Sequence, residues 1–397
     1  MTVSTRNLLS LTVLVSGGLV WFFVSSTVLG KIASNLSYCQ NLSILTINAV
    51  ATATAAIVGA TFPREPASPQ LLKIWMASGA VASIIPSAID MTNFSNVGLV
   101  AFLWGVTLGF GMPACMEYLT EDTATENRGR VGAILFFATF LGIFFLTIIL
   151  NASDQEMQFV ILGALRFVAL IAFVLLNPTR IASPMKASYY GGIIRERTFL
   201  LYFIAWTMFS LVNYLSVPII NHHFGTAFVD TYTPIEAITS AVFAVVGGVL
   251  CDTVGRKAVV VSGFMMLGLG YAGLGIFPSS LIGWVFYTVV DGIAWGMLGV
   301  VFFMTLWGDL AHGTSSKKYY ALGSIPLLFS SLLQSLIGPN LAASVPVTAV
   351  FSLTSFFLFM SILPLLYAPE TLSERHIRER ELREYVEKAK KTKEKYT

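Results

Sequence analysis

The chain has 397 residues, of which 55% are hydrophobic and only 11% charged, with a formal net charge of +3. Soluble domains carry about 25% charged residues, and no water-soluble core of this length buries so much apolar surface. These values exclude a soluble globule and leave lipid as the solvent for the outer faces of helices. Glycine and proline, at 32 and 15 residues, are tolerated in membrane helices and carry no sign of disorder. Cys39, Cys115 and Cys251 are odd in number and far apart, so they read as small buried hydrophobes. No metal site, cofactor or nucleic-acid partner is expected.

In chain order, Arg6 precedes an apolar run that is too long for a signal-peptide core and reads as a retained membrane helix over 8–30. Similar runs recur at 42–62, 71–89, 97–118, 131–150 and 158–177. After a polar stretch they resume at 199–220, 234–251, 258–277, 281–306, 319–341 and 345–367. Each can cross a hydrocarbon layer of about 30 Å, and backbone at that depth must satisfy itself within a helix. The pattern predicts an all-α membrane protein of twelve transmembrane helices. The polar connection 177–198, with Pro178 and Pro184, separates a six-helix unit at 1–176 from another at 199–367. Residues 368–397 form a charged tail in which Glu374–Arg378, Glu379–Arg383, Glu384–Lys388 and Glu387–Lys391 have helical acid-first spacing.

All Lys and Arg except Lys31 and Arg166 fall in breaks on one side, counted from the N-terminus. The positive-inside rule makes that side cytoplasmic, with both termini on it, and a cell membrane is the expected location. The two halves also repeat. Met116–Glu121 through Arg130-Val-Gly132 has the order of acid, basic pair and glycine seen again in Met304–Asp309 through Tyr320-Ala-Leu-Gly323. Weak internal symmetry of this kind marks transporter repeats.

Gly248-Val-Leu-Cys-Asp252-Thr-Val-Gly255-Arg256-Lys257, between the eighth and ninth helices, resembles the cytoplasmic signature of the major facilitator superfamily. Glu121 with Arg128-Gly129-Arg130, and Pro369-Glu370-Thr371 after the last helix, are similar to loops of its sugar-porter branch. The first-half break, Phe62-Pro-Arg-Glu-Pro, lacks the matching core. The resemblance implies two six-helix bundles in the major facilitator fold and transport of a small solute by alternating access. It also implies a cytoplasmic gate of Gly248, Asp252, Gly255, Arg256, Lys257, Glu121, Arg128 and Arg130. Asp252 would sit at the start of the fifth helix, where free N–H groups favour a carboxylate.

By the same resemblance, helices one, four, seven and ten line the pathway. Asp291, in Tyr287-x-x-x-Asp291-x-x-x-Trp295, lies mid-membrane, where an acid costs about 2.5–3.5 kcal/mol and turns towards water or a partner. It is the first candidate for proton coupling or for holding a cationic group. Trp21, Trp104, Trp206 and Trp295 place one tryptophan in each of those helices and could stack on a solute. Asn213 and Tyr214 are further candidates. Arg166 reads as a structural residue that snorkels or pairs, and His222-His223 as an exposed pair in an outer loop. No phosphate-binding loop and no hydrolase motif occurs, so the chain is not expected to be an enzyme. Passive facilitation, drug efflux and a non-transporting membrane sensor are the competing readings, and a monomer is the expected state.

Overall fold

A computed structural model describes residues 4–62, 68–176, 178, 186–372 and 382, side chains of 226–231 excepted. Outside these lie the first-half break at 63–67, Arg180 and Pro184 of the connection, and the acid–base pairs of the tail. Among the described residues, twelve helices are long and apolar enough to cross a membrane. They are α1 (Thr5–Ser34), α2 (Tyr38–Gly59), α3 (Pro69–Ala88), α4 (Phe94–Asp122), α5 (Arg128–Asn151) and α6 (Gln155–Leu176) in the first half. The second half holds α7 (Arg197–Phe224), α8 (Thr226–Thr253), α9 (Arg256–Ile276), α10 (Leu281–Leu310), α11 (Lys317–Ser344) and α12 (Val347–Tyr367). A short helix, Tyr190–Arg195, precedes α7. Among the described residues there is no strand, only a bridge between Lys186 and Thr314.

The helix starts follow from local chemistry. Ser68 accepts a hydrogen bond from the Leu71 amide, with Pro69 in the first turn of α3. Asn93 and Ser280 open α4 and α10 in the same way. Each supplies an acceptor to a first-turn N–H that has none within the helix. Several helices outrun their apolar stretches, among them α4, which continues to Asp122, and α8, which begins at Thr226, before Pro234. Hydropathy marks membrane depth, but a helix satisfies its own backbone and so continues through polar interfacial residues.

Packing repeats between the halves. In the first, α2 lies against α4 and α3 against α6; in the second, α8 lies against α10 and α9 against α12. The inner pairs meet through glycines spaced by four. A Cβ on Gly105 of α4 would stand 2.7 Å from the Asn48 carbonyl oxygen of α2. One on Gly292 of α10 would stand 2.8 Å from the Glu236 carbonyl oxygen of α8. Backbones this close pack without side chains between them, the arrangement small residues permit in lipid. Gly105→Val should therefore wedge α2 from α4 and destabilise the protein by roughly 1–3 kcal/mol. Thermal unfolding in detergent measures this; an unshifted midpoint counts against the close approach.

Across the halves, α5 lies against α8 and α2 against α11. Three expectations are corrected here. Cys39 is exposed, because it stands in the first turn of α2 and not at membrane depth. His222 and His223 are exposed, but they belong to the last turn of α7 and not to a loop. Arg166 does not snorkel: its residue exposure is 0%, inside the first bundle.

Candidate functional site

On the face that carries the basic breaks, the two halves are joined by buried ion pairs. Asp252, at the end of α8, accepts hydrogen bonds from the Gly129 and Arg130 amides at 2.9 and 2.8 Å. These are first-turn donors of α5, so the carboxylate satisfies two orphan N–H groups and meets the positive end of the helix. The approach is possible because Gly129 and Gly248 face each other: a Cβ on Gly129 would lie 2.6 Å from the Gly248 carbonyl oxygen. Gly255, at φ 118°, makes the turn into α9 in a region that disfavours side chains.

Asp309, at the end of α10, is the hub. Its carboxylate accepts from Arg128 of the first half and, at 2.9 Å, from Arg256 Nε of the second. Arg256 also stands 3.3 Å from Asp252 and donates to the Cys251 and Thr125 carbonyls. Arg128 donates to the Thr120 and Thr123 carbonyls. Arg130 is 3.9 Å from Asp252 with an exposed side chain. A second bridge crosses between the halves where Lys317 of α11 pairs with Glu117 of α4 at 3.2 Å. Ser315 donates to the same Glu117. Outside this core, Glu370 accepts from the Arg256 and Lys257 amides at 2.8 and 3.1 Å. Lys257 Nζ returns to the Leu366 and Ala368 carbonyls. These contacts tie the end of α12 to the start of α9.

The structure thus gathers Gly248, Asp252, Gly255, Arg256, Lys257, Arg128 and Arg130 at one place. The acid that bridges Arg128 and Arg256 is Asp309; Glu121 is its counterpart in the first repeat, in the last turn of α4. Asp309 was visible in the sequence only as that repeat partner. Glu117 and Lys317 had no signal as a pair, because the contact joins helices seven positions apart in order.

Among the described residues, cavities lie deeper, two of them larger than a water molecule's space. The central one, about 90 Å³, sits between the halves. Its walls include Leu19 and Phe22 of α1, Met112 and Met116 of α4, Trp206 of α7, and Phe302, Phe303 and Trp307 of α10. None of its lining residues is charged. Phe302 and Phe303 fall in a π-helical stretch of α10, Val300–Thr305, which locally rewinds that helix beside the cavity.

The second cavity, about 180 Å³, lies within the C-terminal bundle. Asn213 and Ser216 of α7, Glu236 of α8, Tyr271 of α9, and Tyr287, Asp291 and Trp295 of α10 line it. Asp291 is 5% exposed, and Tyr287 reaches its Oδ2 at 3.3 Å. The Tyr287 hydroxyl is also 2.9 Å from that of Tyr271, which is 3.0 Å from Ser216 Oγ. Among the described residues, none donates to Asp291 Oδ1. A second carboxyl, Glu236, faces the same space, so the two acids resist being charged together.

The four tryptophans do not converge. Trp206 lines the central cavity and Trp295 the C-terminal one. Trp21 and Trp104 pack edge to face, 5.9 Å apart, and donate to Ser83 Oγ and the Ala82 carbonyl. Tyr214 packs on the hydrophobic core.

Twelve spanning helices in paired bundles, locked on one face by charge and hollow between the halves, define a membrane transport protein. Residues 198–394 match the family model of the Major Facilitator Superfamily. The solved human organic anion transporter MFSD10 (TETRAN) is similar over 91% of this chain and 99% of its own, with a TM-score of 0.70 and 13% identity. The proton:xylose symporter XylE, solved with 6-bromo-6-deoxy-D-glucose, is similar over 92% and 96%, with a TM-score of 0.67 and 14% identity. At such identities the likeness is one of fold. No curated protein matches the sequence. The second half of the chain thus matches the major facilitator superfamily, and the chain as a whole shares the fold of these solved transporters.

Proposed function

We propose that this protein is a secondary transporter that moves a small organic solute by alternating access, coupled to protons through Asp291. The basic face and both termini are cytoplasmic in this reading, the membrane is the cell membrane, and the working unit is a monomer. The moving bodies are residues 1–176 and 199–367. The solute occupies the central cavity, and its entry and exit alternate as the ion pairs around Asp309 and Asp252 form and break.

One observation carries the proton assignment. Asp291 is a membrane-buried acid with an oxygen that no described residue bonds, in a cavity shared with Glu236 and the hydroxyl groups of Ser216, Tyr271 and Tyr287 among others. Such an acid is expensive to keep charged and suits reversible protonation. The fold neighbour XylE is itself described as a proton symporter.

The test is solute uptake into proteoliposomes with and without an imposed pH gradient. An acid outside should drive accumulation of the transported solute several-fold above equilibrium, and a protonophore should abolish it. Uptake that only equilibrates under both conditions would replace coupling with passive facilitation. Ligand binding without flux would make the protein a sensor.

A further inference from the structure

We infer that the central cavity takes an organic anion, with the Arg166 guanidinium as its fixed counter-charge behind a movable Met112 side chain. The inference rests on the transport reading above and narrows it to a substrate class.

Arg166 lies in mid-α6 at 0% exposure. Its guanidinium stacks between two indoles, 4.3 Å from the ring centre of Trp75 and 5.2 Å from that of Trp21. Aromatic faces attract the cation but accept none of its N–H groups as a carboxylate would. Among the described residues, no acceptor reaches Nε, Nη1 or Nη2. A buried, permanently charged group with its whole donor fork unused calls for an anion with paired oxygens. Glu117, the buried acid of α4, is bonded to Ser315 and Lys317.

The guanidinium is close to the central cavity but screened from it. A Cβ placed on Gly18 would stand 3.7 Å from Arg166 Nη1 and 3.9 Å from Met112 Sδ. Met112 and Leu19, the neighbour of Gly18, both line the cavity wall. Gly18, which has no side chain, stands there with the edge of the Trp75 ring, 3.0 Å from the same Cβ position, and with the Met112 thioether, the most adaptable of apolar side chains. The same wall offers aromatic and aliphatic surface with no carboxylate. A solute with an apolar body and one carboxylate matches both features: the body fills the cavity, and the head moves Met112 aside to reach Arg166.

The experiment measures binding and not flux. The purified full chain is titrated with benzoate, phenylacetate, 1-naphthoate and octanoate, each against its neutral amide, by thermal shift and tryptophan fluorescence. At least one carboxylate should bind tenfold or more tightly than its amide. Arg166→Gln should erase that preference while leaving the amide unchanged, and should not lower the unfolding midpoint of the free protein. Met112→Ala should tighten carboxylate binding several-fold. Carboxylates no better than amides, or a preference that persists in Arg166→Gln, would overturn the inference. If Arg166→Gln does not fold, unchanged carboxylate affinity in Met112→Ala overturns it instead. Proton-driven uptake of an uncharged solute alongside such a result would leave the transport reading standing.

Discussion

Asp291→Asn should abolish proton-driven accumulation, by at least tenfold in the steady-state gradient, while solute exchange at equilibrium continues. The amide has nearly the same shape as the acid and can still accept from Tyr287, so the bundle keeps its packing. What it cannot do is release a proton. A carboxylate at membrane depth costs about 2.5–3.5 kcal/mol, and that cost makes protonation and conformational change interdependent. In the variant the cost is gone in every state, so the pH gradient has nothing to act on. Glu236→Gln should have a smaller effect, because it removes only the second charge from the shared cavity. Paired measurements of gradient-driven uptake and of counterflow separate coupling from transport. Unchanged accumulation in Asp291→Asn removes this residue as the coupling site.

The second large effect is expected at Asp309. Its carboxylate is buried and takes hydrogen bonds from Arg128 and Arg256, themselves 4% and 0% exposed. Breaking a buried pair by removing one partner costs about 3–5 kcal/mol, because the other charge stays behind. Asp309→Asn leaves two such charges, but only where the halves are closed on this face. The closed arrangement should lose population to the open one by roughly 100-fold if about 3 kcal/mol is forfeited. A cysteine at Ser324, which lines the central cavity, reports this. With the native cysteines replaced, its alkylation from the basic face should speed up strongly in Asp309→Asn. Asp252→Asn should do so less, since its one amide oxygen can still accept from one of the two backbone N–H groups and the bridges to Asp309 stay in place. Equal alkylation rates in the parent and in Asp309→Asn would argue against a gate at this face.

The number of helices was legible because lipid imposes a length on each apolar run and charge asymmetry imposes a parity. Which way each side chain faces was not. Around a membrane helix, the lipid side and the protein side are both apolar, so hydrophobic periodicity says little about orientation. Arg166 shows the result: it reads in the sequence as a structural residue that snorkels or pairs, whereas rotation about the axis puts it between Trp21 and Trp75. The four tryptophans, one per expected pathway helix, divide among three environments for the same reason, with only Trp21 and Trp104 in contact. The charges at the basic face fared better, because the short Gly248–Lys257 segment fixes Asp252, Gly255 and Arg256 relative to one another. Asp309 and Glu370 come from distant stretches of chain, and only the packing of α9 against α10 and α12 brings them there. Glu236 joins Asp291 because α8 and α10 touch backbone to backbone, a relation that glycine spacing hints at but does not orient.

The facing of Gly129 and Gly248 has a consequence for how variants of this protein will be read. The reach of Asp252 to two amides depends on the absence of matter, so the tolerance at that crossing is set by what is missing. A scan that trims side chains to alanine would pass over both positions or, by adding a methyl at either, would pry the helices apart. The damage would then look like the loss of an ion pair although every charged group was still present.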